Sequence, residues 1–352
     1  MNVPDLRALV LAAGRGERLR PLTDLLPKPL LPVLGKPLVA HTLERLVELG
    51  CPAAAINLCH LGEQIREHFG SRFAGLPLTY SPEPQLLGTL GALVPLREYF
   101  SGAGLILVVN GDSLCRWPLD KLVRSHLKSG ADATLLCSTR ADVERFGGGI
   151  GVDDRQRVIS FRPAESHGRV VRRVVFAGAH VLSPRLLANL GEGPADFVQH
   201  LYRPLLAAGG QIQALLTDLD WHDLGTPRRY LEGVLGSRPG PPRRGSRAPD
   251  SWIDPGAIVE PSAQVHNAVI EAGAEVAAGA VVEASLVLPG ARIRRGCEVR
   301  EAVIGPQVVL PAESFVEGRM VCSLRTGCLP RPQDSVLGDL IYTPLELSTS
   351  HA

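Results

Sequence analysis

Short segments that begin with a small residue and carry an apolar residue three positions later recur between residues 256 and 311. They are GAIV at 256, SAQV at 262, GAEV at 273, GAVV at 279, GARI at 290 and GCEV at 296. Within a pair the step is six residues, and Gly273 and Gly290 are 17 residues apart. A six-residue step with a small residue at the turn builds one flat side of a coil. Three such sides close a coil of about 18 residues, so the segment has room for about three to four coils.

This pattern resembles the hexapeptide repeats of left-handed parallel β-helices, and we expect a short domain of this kind over residues 251–330. Residues 331–352 form a tail whose sequence predicts no structure. A β-helix has flat faces and an open end that favour packing between subunits. We therefore expect a homo-oligomer that assembles through this domain, with the chemistry located elsewhere.

His266 lies within the repeats, and hexapeptide acyltransferases use a histidine on such coils. Three to four coils leave little room for an acyl-CoA cleft. We interpret His266 as a surface histidine at a coil corner.

Residues 1–236 alternate between strand-like and helix-like segments. The predicted strands are 7–12, 52–58, 77–81, 104–109, 132–138, 157–161, 173–182 and 211–219. The predicted helices are 38–49, 61–69, 89–99, 118–129, one from about 196, and one from Pro227 with Thr226 as its cap. This alternation predicts an α/β domain with a doubly wound, mostly parallel, Rossmann-like sheet. Residues 237–250, SRPGPPRRGSRAPD, cannot form a core and are predicted to be a linker.

Composition narrows the function classes. The length of 352 residues indicates two domains, and 45% hydrophobic residues suffice for real cores. The net charge of +1 provides no overall field for nucleic acid or an acidic membrane surface, so we expect neither as a partner. The seven cysteines form no CxxC pair, and no apolar run reaches membrane-spanning length. With no signal peptide at the start, these features predict a cytoplasmic protein.

The stretch LAAGRGERLRPLTDLLPKPLLPV, from Leu11, places a glycine-rich turn behind an apolar strand. The dinucleotide fingerprint GxGxxG would need glycine where Leu19 stands, and the P-loop pattern fails at the same residue. Pro21, Pro27 and Pro29 prevent a long helix. The stretch is therefore an extended loop at the carboxyl end of the first strand, where open α/β sheets bind ligands.

These residues, together with four later motifs in order, resemble the sugar-1-phosphate nucleotidyltransferases. The later motifs are LLGTLGAL (86–93), NGD (110–112), FAG (176–178) and WHDLGTP (221–227). The phrases NLCHLGEQI and YSPEPQLLGT are most similar to the mannose-1-phosphate guanylyltransferase-like group. Glucose-1-phosphate and N-acetylmuramate-1-phosphate nucleotidyltransferases share much of this pattern, and several family members carry a β-helical tail.

The resemblance implies the transfer of a nucleotidyl group from an NTP to a sugar 1-phosphate, with release of pyrophosphate. It places Lys28 on the α-phosphoryl group, and Arg15 and Arg18 on the departing pyrophosphate. It makes Asp112 and Asp223 the ligands of one Mg²⁺ ion, which takes oxygen ligands. Lys28, Arg18 and Asp112 are the candidate catalytic residues.

The nucleotide would contact three further segments. They are the main chain at Ala12, Ala13, Gly14 and Gly16; the loop 83–89, where Gly88 and Thr89 lie and where Glu83 or Gln85 reads the base; and Asn110 with Gly111. On the sugar-phosphate side are Asp223, Gly178 and Arg162. Arg162 stands where the family has a lysine, and Ala177 replaces a polar residue, so the sugar identity stays open.

Several functions remain compatible with the sequence. The first is GDP-mannose synthesis from GTP and mannose 1-phosphate. The second is transfer to another sugar 1-phosphate from UTP or dTTP. A non-catalytic regulatory paralogue that binds a nucleotide sugar is disfavoured, because the charged residues of the motifs are all present. A bifunctional enzyme with acetyltransferase activity is disfavoured by the short β-helix.

Overall fold

The computed structural model describes residues 5–161, 165–188, 190–238 and 250–346. These residues divide into two compact units. The first comprises residues 5–14 and 39–222, and the second comprises 15–38 together with 223–346. The loop that follows the first strand thus belongs to the same unit as the hexapeptide repeats. No helix within the described ranges is long and apolar enough to cross a membrane.

The first unit contains a ten-stranded sheet. Its strands are β1 (Leu6–Leu11), β2 (Ala54–Leu58), β3 (Arg72–Phe73), β4 (Leu76–Pro82), β5 (Leu105–Asn110), β6 (Ala133–Ser138), β7 (Ile150–Val152), β8 (Val158–Ser160), β9 (Arg172–Leu182) and β10 (Ile212–Thr217). The order is β8-β7-β9-β5-β1-β2-β4-β3, and β6 pairs with both β9 and β10. Strands β5, β1, β2 and β4 are parallel, as are β6 and β10. Strand β9 is antiparallel to β5, β6 and β7.

The central strands are apolar because both faces of the sheet are covered. Leu9 of β1, Ile56 of β2 and Ile106 of β5 are fully buried. The helices of this unit are α1 (Leu38–Leu49), α2 (Gly62–Phe69), α3 (Gly88–Gly91), α4 (Leu119–Ser129) and a π-type turn (Val198–Tyr202) continued by α5 (Arg203–Ala207), whereas α6 (Pro227–Gly236) belongs to the second unit. The Thr226 hydroxyl caps α6 by accepting a hydrogen bond from the Arg229 amide at 3.2 Å. The predicted doubly wound α/β architecture is confirmed.

One predicted helix is wrong. Residues 89–99 form only the four-residue helix α3, followed by a series of turns up to residue 102. Pro95 has no N–H to donate, and it disfavours helical geometry at Val94. The apolar spacing that predicted a helix instead buries Leu93, Leu96 and Phe100 from successive turns.

The second unit contains a three-sided parallel β-helix, as the repeats predict. One sheet stacks Trp252–Ile253, Val269–Ile270, Leu286–Val287, Val303–Ile304 and Arg319–Ser323. The second stacks Ile258–Val259, Glu275–Val276, Arg292–Ile293 and Val309–Leu310. The third stacks Gln264–His266, Val281–Glu283, Glu298–Arg300 and Phe315–Glu317. Inward side chains such as Val265, Val282 and Val299 form its core.

Each coil takes 17 residues, since Val269 pairs with Leu286 and Leu286 with Val303. Two sides advance by six residues and the third by five. The short corner lies at Asn267 and Ala284, where the backbone is left-handed with φ of 47° and 46°. This corner accounts for the difference from the expected 18-residue coil.

Most of the predicted linker and the end of the tail lie outside the described residues. The described part of the tail contains two strands, Ser335–Leu337 and Leu340–Pro344. The second of these strands pairs antiparallel with Arg319–Ser323 and so covers the last coil.

Candidate functional site

The carboxyl end of β1 is joined to its neighbours by a buried polar network. The Ala12 amide donates to Asn57 Oδ1 at 2.7 Å, and Asn57 Nδ2 donates to Glu83 Oε1 at 2.8 Å. The other carboxylate oxygen of Glu83 accepts from the Leu87 amide at 2.9 Å. Asn57 and Glu83 are 3% and 4% exposed. Two segments that the sequence assigns to the nucleotide, the turn at Ala12 and the loop 83–89, are thereby fixed to each other through Asn57.

This network separates the two candidate base readers. Glu83 uses both carboxylate oxygens inside the protein, whereas Gln85 is exposed on the same loop. Gly88 has φ of +74°, and a Cβ there would lie 2.5 Å from the Ala195 carbonyl oxygen. Gly88 therefore allows its loop to pack closely against the backbone of Ala195, which precedes the π-type turn. Exposed Thr89 accepts from the Phe197 amide at 3.3 Å, which fastens the same loop.

Asn110 is the last residue of β5, and Gly111 and Asp112 follow it, beside the end of β1. The Gly111 amide donates to the Leu11 carbonyl at 2.9 Å. A Cβ at Gly111 would lie 2.9 Å from Val10 Cγ1 and 3.0 Å from the Leu11 oxygen, so packing against β1 alone requires glycine. Asp112 lies beyond this contact, with the Ser113 hydroxyl 3.4 Å from its Oδ1.

Gly178 lies at an irregularity in the pairing of β9 with β6, between Phe176 and His180. Its φ is +80°, and a Cβ there would approach Asn110 and the Trp221 Nε1 atom at 3.4 and 3.5 Å. Within the described residues, the buried Trp221 Nε1 has no hydrogen-bond acceptor. Arg162, the predicted sugar-phosphate residue, lies outside the described residues.

A cavity of about 280 Å³ opens next to these strand ends. Thr89 and Asn110 line it, and so do the rings of Phe176, His180 and Tyr202. His180 Nδ1 and the Tyr202 hydroxyl are hydrogen-bonded. Burial lowers the pKa of His180 to about 3, so the ring is neutral at physiological pH. The cavity therefore presents aromatic faces, uncharged polar groups and the acidic side chain of Asp196 between two predicted nucleotide residues.

The second unit holds residues 15–38, which we call the glycine–proline loop. Gly16 is left-handed with φ of +64°, and its carbonyl accepts from the Thr23 hydroxyl at 2.9 Å. A Cβ at Gly16 would lie 2.9 Å from Thr23 and 3.4 Å from Lys28. Glycine thus allows the loop to fold back, which brings its first turn against the lysine.

Lys28 is 5% exposed, and its Nζ lies 3.7 Å from Asp223 Oδ1. Arg229, one turn into α6, contacts the other oxygen of Asp223. A Cβ at Gly225 would lie 2.8 Å from Arg18 Nη2 and 2.9 Å from Asp223 Oδ1. The first and last motifs of the sequence therefore meet, and Gly225 leaves the space in which a guanidinium and a carboxylate approach. Arg15 and Arg18, in contrast to Lys28, are exposed.

Two positions carried signals that the sequence reasoning did not use. Asn57 is a polar residue inside the buried strand AAINL, a position that calls for a buried partner. Arg229 lies three residues after the predicted cap Thr226, on the helix turn that faces Asp223.

His266, the histidine within the repeats, is exposed on one side of the β-helix.

The metal prediction has a donor set of the right chemistry. Among the described residues, no group of three or more histidine, cysteine, aspartate or glutamate side chains could hold a metal ion by itself. Mg²⁺ usually takes one or two carboxylates and completes its shell with water and substrate phosphates. Asp112 and Asp223, as oxygen donors, fit that pattern.

Comparison with known proteins shows the family of the chain. The pattern of the nucleotidyl transferase family matches residues 7–237, and that of the GlmU-like C-terminal hexapeptide region matches residues 240–318. The chain belongs to the nucleotidyl transferase family.

Its relatives differ in their named substrates. The chain is 28% identical over 232 residues to the mannose-1-phosphate guanylyltransferase catalytic subunit beta of Danio rerio, which covers 65% of this chain and 64% of the relative. It is also 28% identical over 247 residues to the UTP–glucose-1-phosphate uridylyltransferase of Synechocystis, which covers 66% and 63%. The matched part thus spans less than two thirds of either relative.

Among solved structures, the fold is similar to HddC from Yersinia pseudotuberculosis. The TM-score is 0.56 at 23% identity, and the match covers 66% of this chain and 99% of HddC. This similarity supports the fold of the nucleotidyltransferase region.

Proposed function

We propose that the protein transfers a nucleotidyl group from an NTP to a sugar 1-phosphate, most specifically from GTP to mannose 1-phosphate. The observation that carries the proposal is the cluster of Lys28, Asp223 and Arg18, in which the glycine–proline loop meets the WHDLGTP motif. Relatives named mannose-1-phosphate guanylyltransferase support GTP and mannose 1-phosphate as the specific substrates. The uridylyltransferase relative supports transfer from UTP to glucose 1-phosphate as the second candidate.

In the proposed reaction, a phosphate oxygen of the sugar 1-phosphate attacks the α-phosphorus of the NTP. A P–O bond forms there, and the bond to the β-phosphate breaks, so that pyrophosphate leaves with the bonding electrons. A phosphate monoester is largely dianionic at pH 7 because its second pKa is about 6. No general base is then needed, and the protein has to bring two anions together.

The residues divide this work by position. Lys28 is a point charge on a proline-stiffened turn and is assigned to the α-phosphoryl group. Arg15 and Arg18 are exposed, and each guanidinium group can donate paired hydrogen bonds to the oxygens of the leaving pyrophosphate. Asp112 and Asp223 would hold a Mg²⁺ ion, which supplies charge neutralisation between the two phosphates.

On the nucleotide side, we assign base reading to Gln85, since Glu83 is engaged with Asn57 and Leu87. The acceptor sugar is assigned to the region of Gly178 and Asn110. Arg162 is retained as a proposed sugar-phosphate contact, because the resemblance implies a lysine at this position and arginine keeps its charge.

The test is a matrix of four NTPs against several sugar 1-phosphates, scored by pyrophosphate release. We expect the highest kcat/KM for GTP with mannose 1-phosphate. Lys28→Met should lower kcat by about 100-fold, as removal of one preorganised electrostatic group does, while Lys121→Met, at an exposed lysine of α4, should leave it unchanged. A preference for UTP with glucose 1-phosphate would select the second candidate. Nucleotide-sugar binding without turnover for any pair would refute catalysis.

We also propose a cytoplasmic homo-oligomer that assembles through the β-helix. The support is a set of exposed apolar side chains on its outer faces, Ile258, Val309 and Phe315, and seven cysteines without a disulfide. A monomeric mass by light scattering at micromolar concentration would contradict the assembly.

A further inference from the structure

The glycine–proline loop is anchored to the β-helix at its far end. Residues Pro32–Val33 and Lys36–Pro37 form a two-stranded hairpin, with Val33 paired to Lys36. Its two turn residues, Leu34 and Gly35, have φ of 53° and 81°. Both values are positive, as a tight hairpin turn of this kind requires. The tip of the hairpin is therefore a rigid point from which the loop can be held.

The β-helix supplies the hydrogen bond that holds this tip. Glu271 Oε2 accepts from the Gly35 amide at 2.9 Å, and the Leu34 amide also contacts the carboxyl. Gly35 packs on Trp252, since a Cβ there would lie 3.1 Å from the indole ring. Helix α6 holds the adjoining strand, because the Tyr230 hydroxyl donates to the Pro32 carbonyl at 2.6 Å.

Glu271 occupies a coil position that carries an acid, Asp254, in the preceding coil and uncharged residues in the two coils that follow. Seventeen residues further on stands Leu288, which is 1% exposed, and after it Gly305. Glu271 is itself 1% exposed, and its Oε1 has no hydrogen-bond donor within the described residues. A buried carboxyl with a missing partner costs free energy. Burial raises its pKa to about 7, the hydrogen bonds from Gly35 and Leu34 lower it, and nearby Asp254 adds to the increase.

Because the coil would be more stable with an apolar residue here, the function of Glu271 lies in what it binds. We propose that Glu271 is a positioning residue for nucleotidyl transfer: it fixes the hairpin tip, and through it the turn that carries Lys28, to the first coils of the β-helix. This inference rests on the function proposed above. The β-helix then acts on catalysis directly as well as in assembly.

A second attachment supports the same reading. The Leu329 amide, just beyond the last coil, donates to Asp24 Oδ2 at 3.4 Å, and the Cys328 thiol donates to the Pro21 carbonyl at 3.4 Å. The loop is thus held on both sides of Lys28 by residues that belong to the β-helix and its tail. Because the glycine–proline loop is attached on both sides of Lys28, these contacts restrict the position of the lysine.

The test compares full-length Glu271→Ala and Glu271→Gln with the control Glu275→Ala. Glu275 lies on the same coil but faces outward and pairs with Arg292 at 3.4 Å. Glutamine keeps an acceptor oxygen for the Gly35 amide, whereas alanine removes it. Two readouts are needed: the kinetic constants, and the amide hydrogen exchange of peptides that cover residues 15–38.

We expect Glu271→Ala to lower kcat by about tenfold or more, because small displacements of a positioning group are costly, with a smaller change in KM. Exchange in the hairpin should rise in this variant. Glu271→Gln should restore both to within about threefold of the wild type, and Glu275→Ala should match the wild type. Unchanged hairpin exchange in Glu271→Ala would overturn the anchor, and so would a glutamine variant as impaired as the alanine variant.

The exchange readout also separates this inference from the proposed function. A wild-type protein that turns over no substrate pair, yet shows the expected exchange pattern, would refute the reaction and keep the anchor. Normal kinetics with faster hairpin exchange would show an anchor that does not position Lys28, and would overturn the proposal.

Discussion

Glu83→Gln offers the sharpest test of the buried network at the carboxyl end of β1. The carboxylate accepts from Asn57 Nδ2 and from the Leu87 amide, at 2.8 and 2.9 Å. Glutamine can accept only one of these hydrogen bonds. Its own NH₂ group then faces the other donor in a site that is 4% exposed. Ala12 is held through Asn57, so the loss extends to the turn before the glycine–proline loop.

Leaving one buried donor without an acceptor costs about 1–3 kcal/mol. With roughly 2–4 °C per kcal/mol for a domain of this size, we expect the melting temperature to fall by about 2–12 °C. Glu83→Ala removes both acceptors and should cost about twice as much. Because the segments at Ala12 and Leu87 lose their mutual position, KM should rise by about tenfold for every NTP alike, at 1.4 kcal/mol per factor of ten.

Differential scanning fluorimetry without ligands measures the first effect, and pyrophosphate release with each NTP measures the second. Glu98→Gln is the matched control, since Glu98 is exposed and lies in the turns that follow α3. A Glu83→Gln protein with the melting temperature of the control and an altered NTP ranking would refute this reasoning. That result would make Glu83 a base reader after all.

Three further outcomes are expected. The pKa of Glu271 in the folded protein, about 7, lies above its ordinary value of 4.5, so its contribution to stability is present below about pH 4.5 and is lost as the pH rises through 7. In urea unfolding, the wild type should therefore lose up to about 3 kcal/mol relative to Glu271→Gln between about pH 5 and 8. Parallel pH profiles of the two proteins would contradict this. A chain that ends at Ser237 keeps Tyr230 but lacks the anchors that the β-helix supplies to the glycine–proline loop. It should lose at least about tenfold in kcat while keeping its sheet by circular dichroism; wild-type turnover would restore a purely assembling role for the β-helix. Asp112→Asn and Asp223→Asn should each nearly abolish turnover across a Mg²⁺ titration, and the double variant should be scarcely worse than either, since two ligands of one ion act as a unit; multiplicative losses would assign them separate tasks.

The sequence predicted the sheet well where the strands are buried on both faces. β1, β2 and β5 were predicted within two residues, since uninterrupted apolar runs allow few alternatives. It failed at residues 89–99, where apolar spacing outweighed the effect of Pro95. The coil length was visible in the spacing of the repeats, but the corner that shortens it lies at Asn267 and Ala284, where side chains alone do not mark a left-handed backbone.

For the candidate site, the sequence proposed residues but not the contacts between them. The motifs identified Lys28, Arg18 and Asp223, but spacing could not show that Gly225 makes room for the last two. Nor could it separate Glu83 from Gln85, since both are polar residues on one loop. The distinguishing fact is a partner, Asn57, on another strand.

The contacts of the β-helix with the glycine–proline loop change the role expected of this domain. Every charged motif residue precedes residue 236, and from the sequence this favoured a domain that serves assembly alone. The contacts of Glu271 and Trp252 with Gly35 connect residues more than 200 positions apart. No local pattern in the glycine–proline loop predicts that its tip needs an acceptor, because a tight hairpin turn is complete in itself. The β-helix sequence does carry a signal, because Glu271 is an acidic residue at a coil position that the later coils fill with leucine or glycine. A charged residue at a buried position of a repeat therefore predicts a partner outside the repeat, and here that partner is the loop that carries the proposed catalytic lysine.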